Sequence, residues 1–234
     1  MMMGPAGPET LMAQDNDSFI REVNEELRSD QFKNAWSRYG KIAIGVAVVI
    51  VVATAGHRGY EYWQSHNASQ SGDRFLAALN LASEGKHDEA LAAFQALEQD
   101  GTGDYPVLAQ MRAAAVQAEK GDTAGAVTAF RAVSARSSAP DAMRDVAKLR
   151  AAWLLIDTGT YEEVSAEAEV LTGGNHALRN SAREALGLSA YKAEDMARAK
   201  EWFQAIADDA TAPRNVASRA QIMLDNIAAS GKAP

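Results

Sequence analysis

Four histidines, His57, His66, His87 and His176, are the residues best suited to proton transfer or metal binding in this 234-residue chain. That chemistry needs set spacings: two histidines one helical turn apart, or a histidine placed beside a carboxylate and a nucleophile. No two of the four stand at metal-ligand spacing, and none belongs to a recognised acidic motif. His87 reads as a structural ring in a turn. There is no cysteine, which removes disulfides, thiolate ligands and thiol nucleophiles together. Gly173-Gly174-Asn175 reads as a turn between helices rather than a phosphate loop. Asp208-Asp209 reads as a solvated corner rather than a catalytic pair. No nucleophile elbow or zinc signature occurs. The expectation is a protein that is not an enzyme, with no cofactor, no metal and no small-molecule substrate.

What the chain does possess is the chemistry of burial. Residues 42–56 read IAIGVAVVIVVATAG, an uncharged run bounded by Lys41 and by His57-Arg58. A soluble amphipathic helix would interrupt such a run with polar residues at the helical period. The run falls short of the ~20 residues that usually cross a bilayer, but its flanks extend it. Trp36 and Tyr39 precede it, and Tyr60, Tyr62 and Trp63 follow. Aromatic rings of this kind favour the headgroup level. Lys41 and Arg58 can snorkel, so that their stems add apolar length. A helix from Arg38 to Tyr60 would be about 34 Å long at 1.5 Å per residue. A single transmembrane helix is therefore expected over residues 42–58. Its interface anchors would be Trp36, Tyr39, Lys41, Arg58, Tyr60, Tyr62 and Trp63.

Orientation follows from charge. Arg28, Lys33, Arg38 and Lys41 lie close before the run, and Arg58 alone lies close after it. The basic excess predicts a cytoplasmic N-terminus and an external C-terminal mass. Ala53-Thr54-Ala55 has the composition of a cleavage site. The long two-signed segment before the run is unlike a signal peptide, so an uncleaved anchor is expected. Met12 offers an alternative start. The net charge is −8, and neither side of the run has a basic surplus, which speaks against a nucleic-acid partner.

The elements beyond the run are helical throughout, with no stretch alternating like a strand. Gly85, Gly121 and Gly159 fall in short turns at regular intervals, and Glu194 takes the fourth turn. Aligned on these turns, Ala90, Ala126, Val164 and Ala199 recur at steps of 36, 38 and 35 residues. Four residues later stand Phe94, Phe130, Ala168 and Phe203. A small residue lets two antiparallel helices approach, a ring one turn on fills the wedge, and Pro106, Pro140 and Pro213 separate the units. The pattern resembles the tetratricopeptide repeat, whose unit is about 34 residues. The third unit departs from it, with Val164 and Ala168 at the small and ring places. The fold expected is all-α: the N-terminal transmembrane helix, then an α-solenoid of about four degenerate tetratricopeptide-like hairpins, closed by a C-terminal capping helix over residues 216–229. The first helices of such units line a concave face, which places Phe75, Leu79, Met111, Trp153, Leu188 and Tyr191 as a candidate partner groove. Leu149 and Ile156 lie along the same stripe.

The resulting organisation is a disordered tail (1–17), a cytoplasmic amphipathic helix with its basic flank (18–41), the transmembrane helix (42–58), an aromatic exit segment or linker (59–70), the repeat domain with its cap (71–229) and a disordered end (230–234). The tail, the span, the exit segment ending Trp63-Gln64-Ser65-His66 and the degenerate repeats together resemble the YfgM-type family, ancillary subunits of the bacterial SecYEG translocon. The resemblance covers residues 18–229. It implies a single-pass inner-membrane protein whose periplasmic repeat domain associates with the translocon and with periplasmic chaperones or client proteins. It offers no catalytic residue. A structural adaptor in envelope assembly or cell division, using the same groove, is the alternative.

Overall fold

The computed structural model describes the backbone of residues 9–231 and the side chains of residues 36–231 other than 43, 64 and 65. Among these residues there are nine α-helices, one 3-10 turn and no strand. The chain divides into two units between Trp63 and Gln64.

The first unit lies on α1, Glu9–Ser83. Residues 1–8 of the tail read as disordered lie outside the described residues, and residues 9–17 are helical. The side chains behind the amphipathic reading of residues 18–35 also lie outside the described residues. The exit segment over 59–70, read as a linker, is helical. Its physical reason is local: no Pro or Gly stands between Tyr60 and Ser71 to end the helix.

In the second unit the last turns of α1 are followed by α2 (His87–Asp100), α3 (Tyr105–Glu119), α4 (Thr123–Ala135), α5 (Asp141–Thr158), α6 (Tyr161–Ala168), α7 (Arg179–Lys192), α8 (Met196–Ala207) and α9 (Arg214–Ser230). From α2 onward each helix packs on the next in chain order. Turn chemistry fixes the hairpins. Gly85 and Gly121 take positive φ, a left-handed conformation that closes a helix without steric cost when no Cβ is present. Glu194 adopts the same conformation at φ 61°, where an L side chain costs about 1–2 kcal/mol. After three of the turns a side chain caps the next helix. Asp122 accepts from the Gly125 N–H and Asp195 from the Arg198 N–H, and Thr160 forms a reciprocal capping box with Glu163. Pro106 lies in the first turn of α3, and Pro140 and Pro213 immediately precede α5 and α9.

The core confirms the register. Ala90, Ala126, Val164 and Ala199 are buried, as are Phe94, Phe130, Ala168 and Phe203. A second column appears on the preceding helices. Ala78, Ala114, Ala152 and Gly187 are all buried, and each stands sixteen residues before its ring position. At Gly187 the approach is close: a Cβ built there would lie 2.8 Å from Cζ of Phe203. The third unit is the irregular one. Its second helix has only eight residues and ends in the 3-10 turn Glu169–Leu171. Leu171 is buried in the cluster where a ring is lacking, and α5 reaches α7 directly. Helix α9 packs mainly on α8 through Val216, Ala220 and Ile227 and ends at Gly231 in a left-handed cap. Residues 232–234 lie outside the described residues.

Candidate functional site

His57 and His176 have carboxylate partners: His57 Nε2 lies 3.3 Å from Glu61 Oε1, one turn along α1, and His176 Nε2 lies 3.1 Å from Asp145 Oδ2. His176 Nδ1 accepts from the Leu178 N–H at 3.1 Å, so its ring proton sits on Nε2 and is given to Asp145. Both nitrogens are engaged, and neither is free to act as a base. His87 is half-buried at the start of α2, with Nδ1 unpaired among the described residues. Among those residues no three His, Asp or Glu side chains converge as a metal site.

Asp209 corrects the reading of residues 208–209 as a solvated corner. Its carboxylate accepts from Arg179 Nε at 2.7 Å, from Asn180 Nδ2 at 3.1 Å and from the Thr211 N–H at 2.9 Å. Arg183 Nη1 lies 3.4 Å away and also donates to the Ala205 carbonyl. This network ties α7 to the loop between α8 and α9, and the carboxylate is spent on holding that loop. The Arg179 and Thr211 hydrogen bonds hold the Asp209 carboxyl well below the ordinary carboxylate range. A carboxyl more acidic folded than unfolded adds stability above its unfolded pKa and loses it as pH falls toward the folded value. Asp209→Asn is therefore expected to melt below the native chain at neutral pH. The gap should narrow as the pH drops below about 4, where the unfolded carboxyl takes up its proton. Thermal melts of both chains at neutral and acid pH check this.

The remaining chemistry is that of contact surfaces. In the first unit Ile42, Ile44, Val46 and Val48 to Val52 are all more than half exposed, as are the rings of Trp36, Tyr39, Tyr60, Tyr62 and Trp63. Lys41 and Arg58 are exposed too. Tyr60 and Trp63 lie 6.4 Å apart, ring to ring, and Arg58 pairs with Glu61 at 3.4 Å. One helical segment among the described residues, Trp36–Ser83, is long and apolar enough to cross a membrane, and 6% of its most apolar stretch is buried. A core helix of a soluble protein would bury most of that stretch.

In the second unit the six groove residues are all half-buried, and they separate into different places. Phe75 packs its ring 5.7 Å from Phe94 and 5.9 Å from Tyr105, and Leu79 joins it at the N-terminal core cluster. Tyr191 packs against the C-terminal cluster. Met111 lines a cleft of about 370 Å³ between α3 and α5. Trp153 and Leu188 alone share a cleft, of about 230 Å³, completed by Ile222 and Met223 of α9. That cleft contains a pair the sequence did not announce. Arg219 gives Nε and Nη2 to the two oxygens of Glu184 at 2.5 and 2.8 Å, and the Glu184 side chain is only 4% exposed. The cleft is shallow and largely apolar, with one satisfied ion pair.

A family model described as a tetratricopeptide repeat-like domain matches residues 33–229. No curated protein matches the chain.

Proposed function

The chain belongs to the tetratricopeptide repeat-like domain family, a family of protein-interaction modules, and from that premise we propose that it is a membrane-tethered interaction module ancillary to the SecYEG translocon. In this reading α1 crosses the bacterial inner membrane once over residues 42–58. The N-terminus stays in the cytoplasm, and the repeats stand in the periplasm, where they link emerging secretory chains with chaperones. The observation that carries the proposal is the bare, exposed apolar stretch of α1 placed in sequence directly before the repeats. Solvent exposure of that many Val and Ile side chains is unfavourable by about 25 cal/mol per Å² of apolar surface, and a bilayer removes the cost. The aromatic and basic residues at both ends support the same placement. Tethering raises the local concentration of partners, so weak contacts suffice.

The test is photo-crosslinking in intact membranes from positions on α5 and α7 beside the Trp153 cleft. Translocon subunits and periplasmic chaperones are the expected products. Capture of cell-division or wall-synthesis proteins in their place would overturn the assignment in favour of an envelope adaptor. Trp153→Ala is expected to lower capture about ten-fold, the scale of a central aromatic contact, while leaving cooperative melting intact. Loss of folding without a separable binding defect would assign Trp153 to the core alone.

A further inference from the structure

The chain has eight methionines and no cysteine, so its sulfur chemistry is that of the thioether. Met111, Met143, Met196 and Met223 have described side chains, and their surroundings differ. Met196 is 7% exposed, inside the C-terminal cluster. Met223 is half-buried on the wall of the Trp153 cleft, where Arg219 is committed to Glu184. Met111 and Met143 are half-buried too, and both line one recess of about 370 Å³ between α3 and α5. Ala115 and Val146 add to its apolar wall, and Arg112 and Arg150 frame it. No acidic residue lines this recess. Both arginines are exposed, and neither has an acidic partner among the described residues. Arg74, Arg131, Arg179, Arg198 and Arg219, by contrast, each pair with a carboxylate. Two reachable thioethers and two unneutralised guanidiniums therefore share one site.

We infer that Met111 and Met143 form an oxidation site, at which a hydroperoxide converts both thioethers to sulfoxides and Arg112 and Arg150 take up the new oxygens. In each reaction a sulfur lone pair attacks one peroxide oxygen. The S–O bond forms as the O–O bond breaks; the sulfur gives up two electrons and the peroxide gains them. The second oxygen leaves as hydroxide, takes the proton of the first and departs as water. Negative charge grows on that leaving oxygen, and a nearby guanidinium stabilises it. The arginines serve the product as well. A thioether is a weak acceptor, whereas a sulfoxide is polar, and a guanidinium offers it a fork of donors. The change turns the recess from apolar to polar, and reduction of the sulfoxide reverses it. The inference goes beyond the reading of the chain as an interaction module and does not depend on which partner the repeats engage. Where that reading holds, oxidation regulates the surface: apolar groups lose this recess before they lose the Trp153 cleft.

The test is treatment of the full chain in neutral detergent with hydrogen peroxide, followed over time by peptide mass mapping. Met111 and Met143 should oxidise about ten-fold faster than Met196, because the reaction follows exposure. They should also outrun Met223, which is half-buried like them, by about three-fold, the scale of one solvent-screened charge. Arg112→Gln/Arg150→Gln should remove that lead and leave the Met223 rate unchanged. This variant should keep the native circular dichroism and melting, since the replaced side chains are exposed and unpaired. In the native chain the Nε–H resonances of Arg112 and Arg150 should shift as the sulfoxides form and return when methionine sulfoxide reductase removes the oxygens. Three results would overturn the inference: equal rates at Met111, Met143 and Met223, rates indifferent to the arginine change, or helix lost in step with oxidation. The last would make the two sulfurs core atoms and their oxidation damage. Native translocon crosslinking without selective oxidation would remove this site alone. Failure of that crosslinking with the selective oxidation intact would do the reverse.

Discussion

Phe203→Ala is expected to destabilise the repeat unit by about 3–5 kcal/mol, and Gly187→Ala by about 1–3 kcal/mol. The ring of Phe203 is wholly buried, with Ala199, Ile206 and Ile227 in the same cluster. Deleting it leaves a cavity that the rigid backbones of α7 and α8 close only in part. The glycine effect has the opposite geometry. An added Cβ at Gly187 would meet Cζ, Cε1 and Cε2 of Phe203 at 2.8, 2.9 and 3.1 Å. Ala78, Ala114 and Ala152 occupy the equivalent register and already carry a methyl group. The approach of α7 to α8 is therefore closer than the repeat requires, and it depends on glycine. The two penalties should not add. In a Phe203→Leu background the smaller side chain frees space, and Gly187→Ala should cost about 1 kcal/mol less than in the native chain. Urea titrations of the four chains check the cycle. Equal costs of Gly187→Ala in both backgrounds would show that the ring swings aside rather than being fixed.

How much of this was legible follows from what a repeat writes into sequence. The positions of Ala90, Ala126, Val164 and Ala199 and the residues four places on were readable because close helix crossing demands small residues at a constant period. The turns at Gly85, Gly121 and Glu194 were readable for the same reason. Of the partner column, Leu186-Gly187 is legible as the repeat's Leu-Gly pair, but Ala78, Ala114 and Ala152 were missed, because alanine is common everywhere in this chain and the sixteen-residue offset from the ring is visible only once the hairpin is aligned. The ion pairs were missed on other grounds. Arg131 and Glu167 are 36 residues apart, Glu184 and Arg219 are 35, and Lys120 and Asp88 are 32. None of these is a local helix spacing. All are close to one repeat, the distance at which equivalent faces of successive units meet. Lys192 extends the rule by donating to the carbonyls of Ile156 and Asp157, one unit back, where α5 ends. Opposite charges searched for at the repeat period would have found these contacts. The continuous helix through residues 59–70 was misjudged because aromatic clusters were read as a boundary, whereas no Pro stands there and no Gly follows Gly59 before Gly72 to end the helix.

Arg219→Ala should expose the same period rule energetically, with a loss of about 2–3 kcal/mol. Glu184 is buried and Arg219 is half exposed, 4% against 50% for their side chains. Removing the arginine therefore strands a carboxylate away from water. Removing the carboxylate instead releases a guanidinium that water can still reach, so Glu184→Gln should cost less, about 1 kcal/mol. The order Arg219→Ala worse than Glu184→Gln is the signature of burial on one side of the pair. A paired replacement, Glu184→Leu with Arg219→Met, removes both charges and leaves a fully apolar cleft floor beside Trp153 and Leu188. It should sit within about 1.5 kcal/mol of the native chain, since a well-packed apolar pair replaces a buried ion pair at little cost. Hydrogen exchange should localise the Arg219→Ala effect to α9, whose docking uses this pair together with Val216, Ala220 and Ile227. If Arg219→Ala left α9 as protected as in the native chain, the cap would be held by its apolar face alone. The pair would then matter only to what the cleft binds.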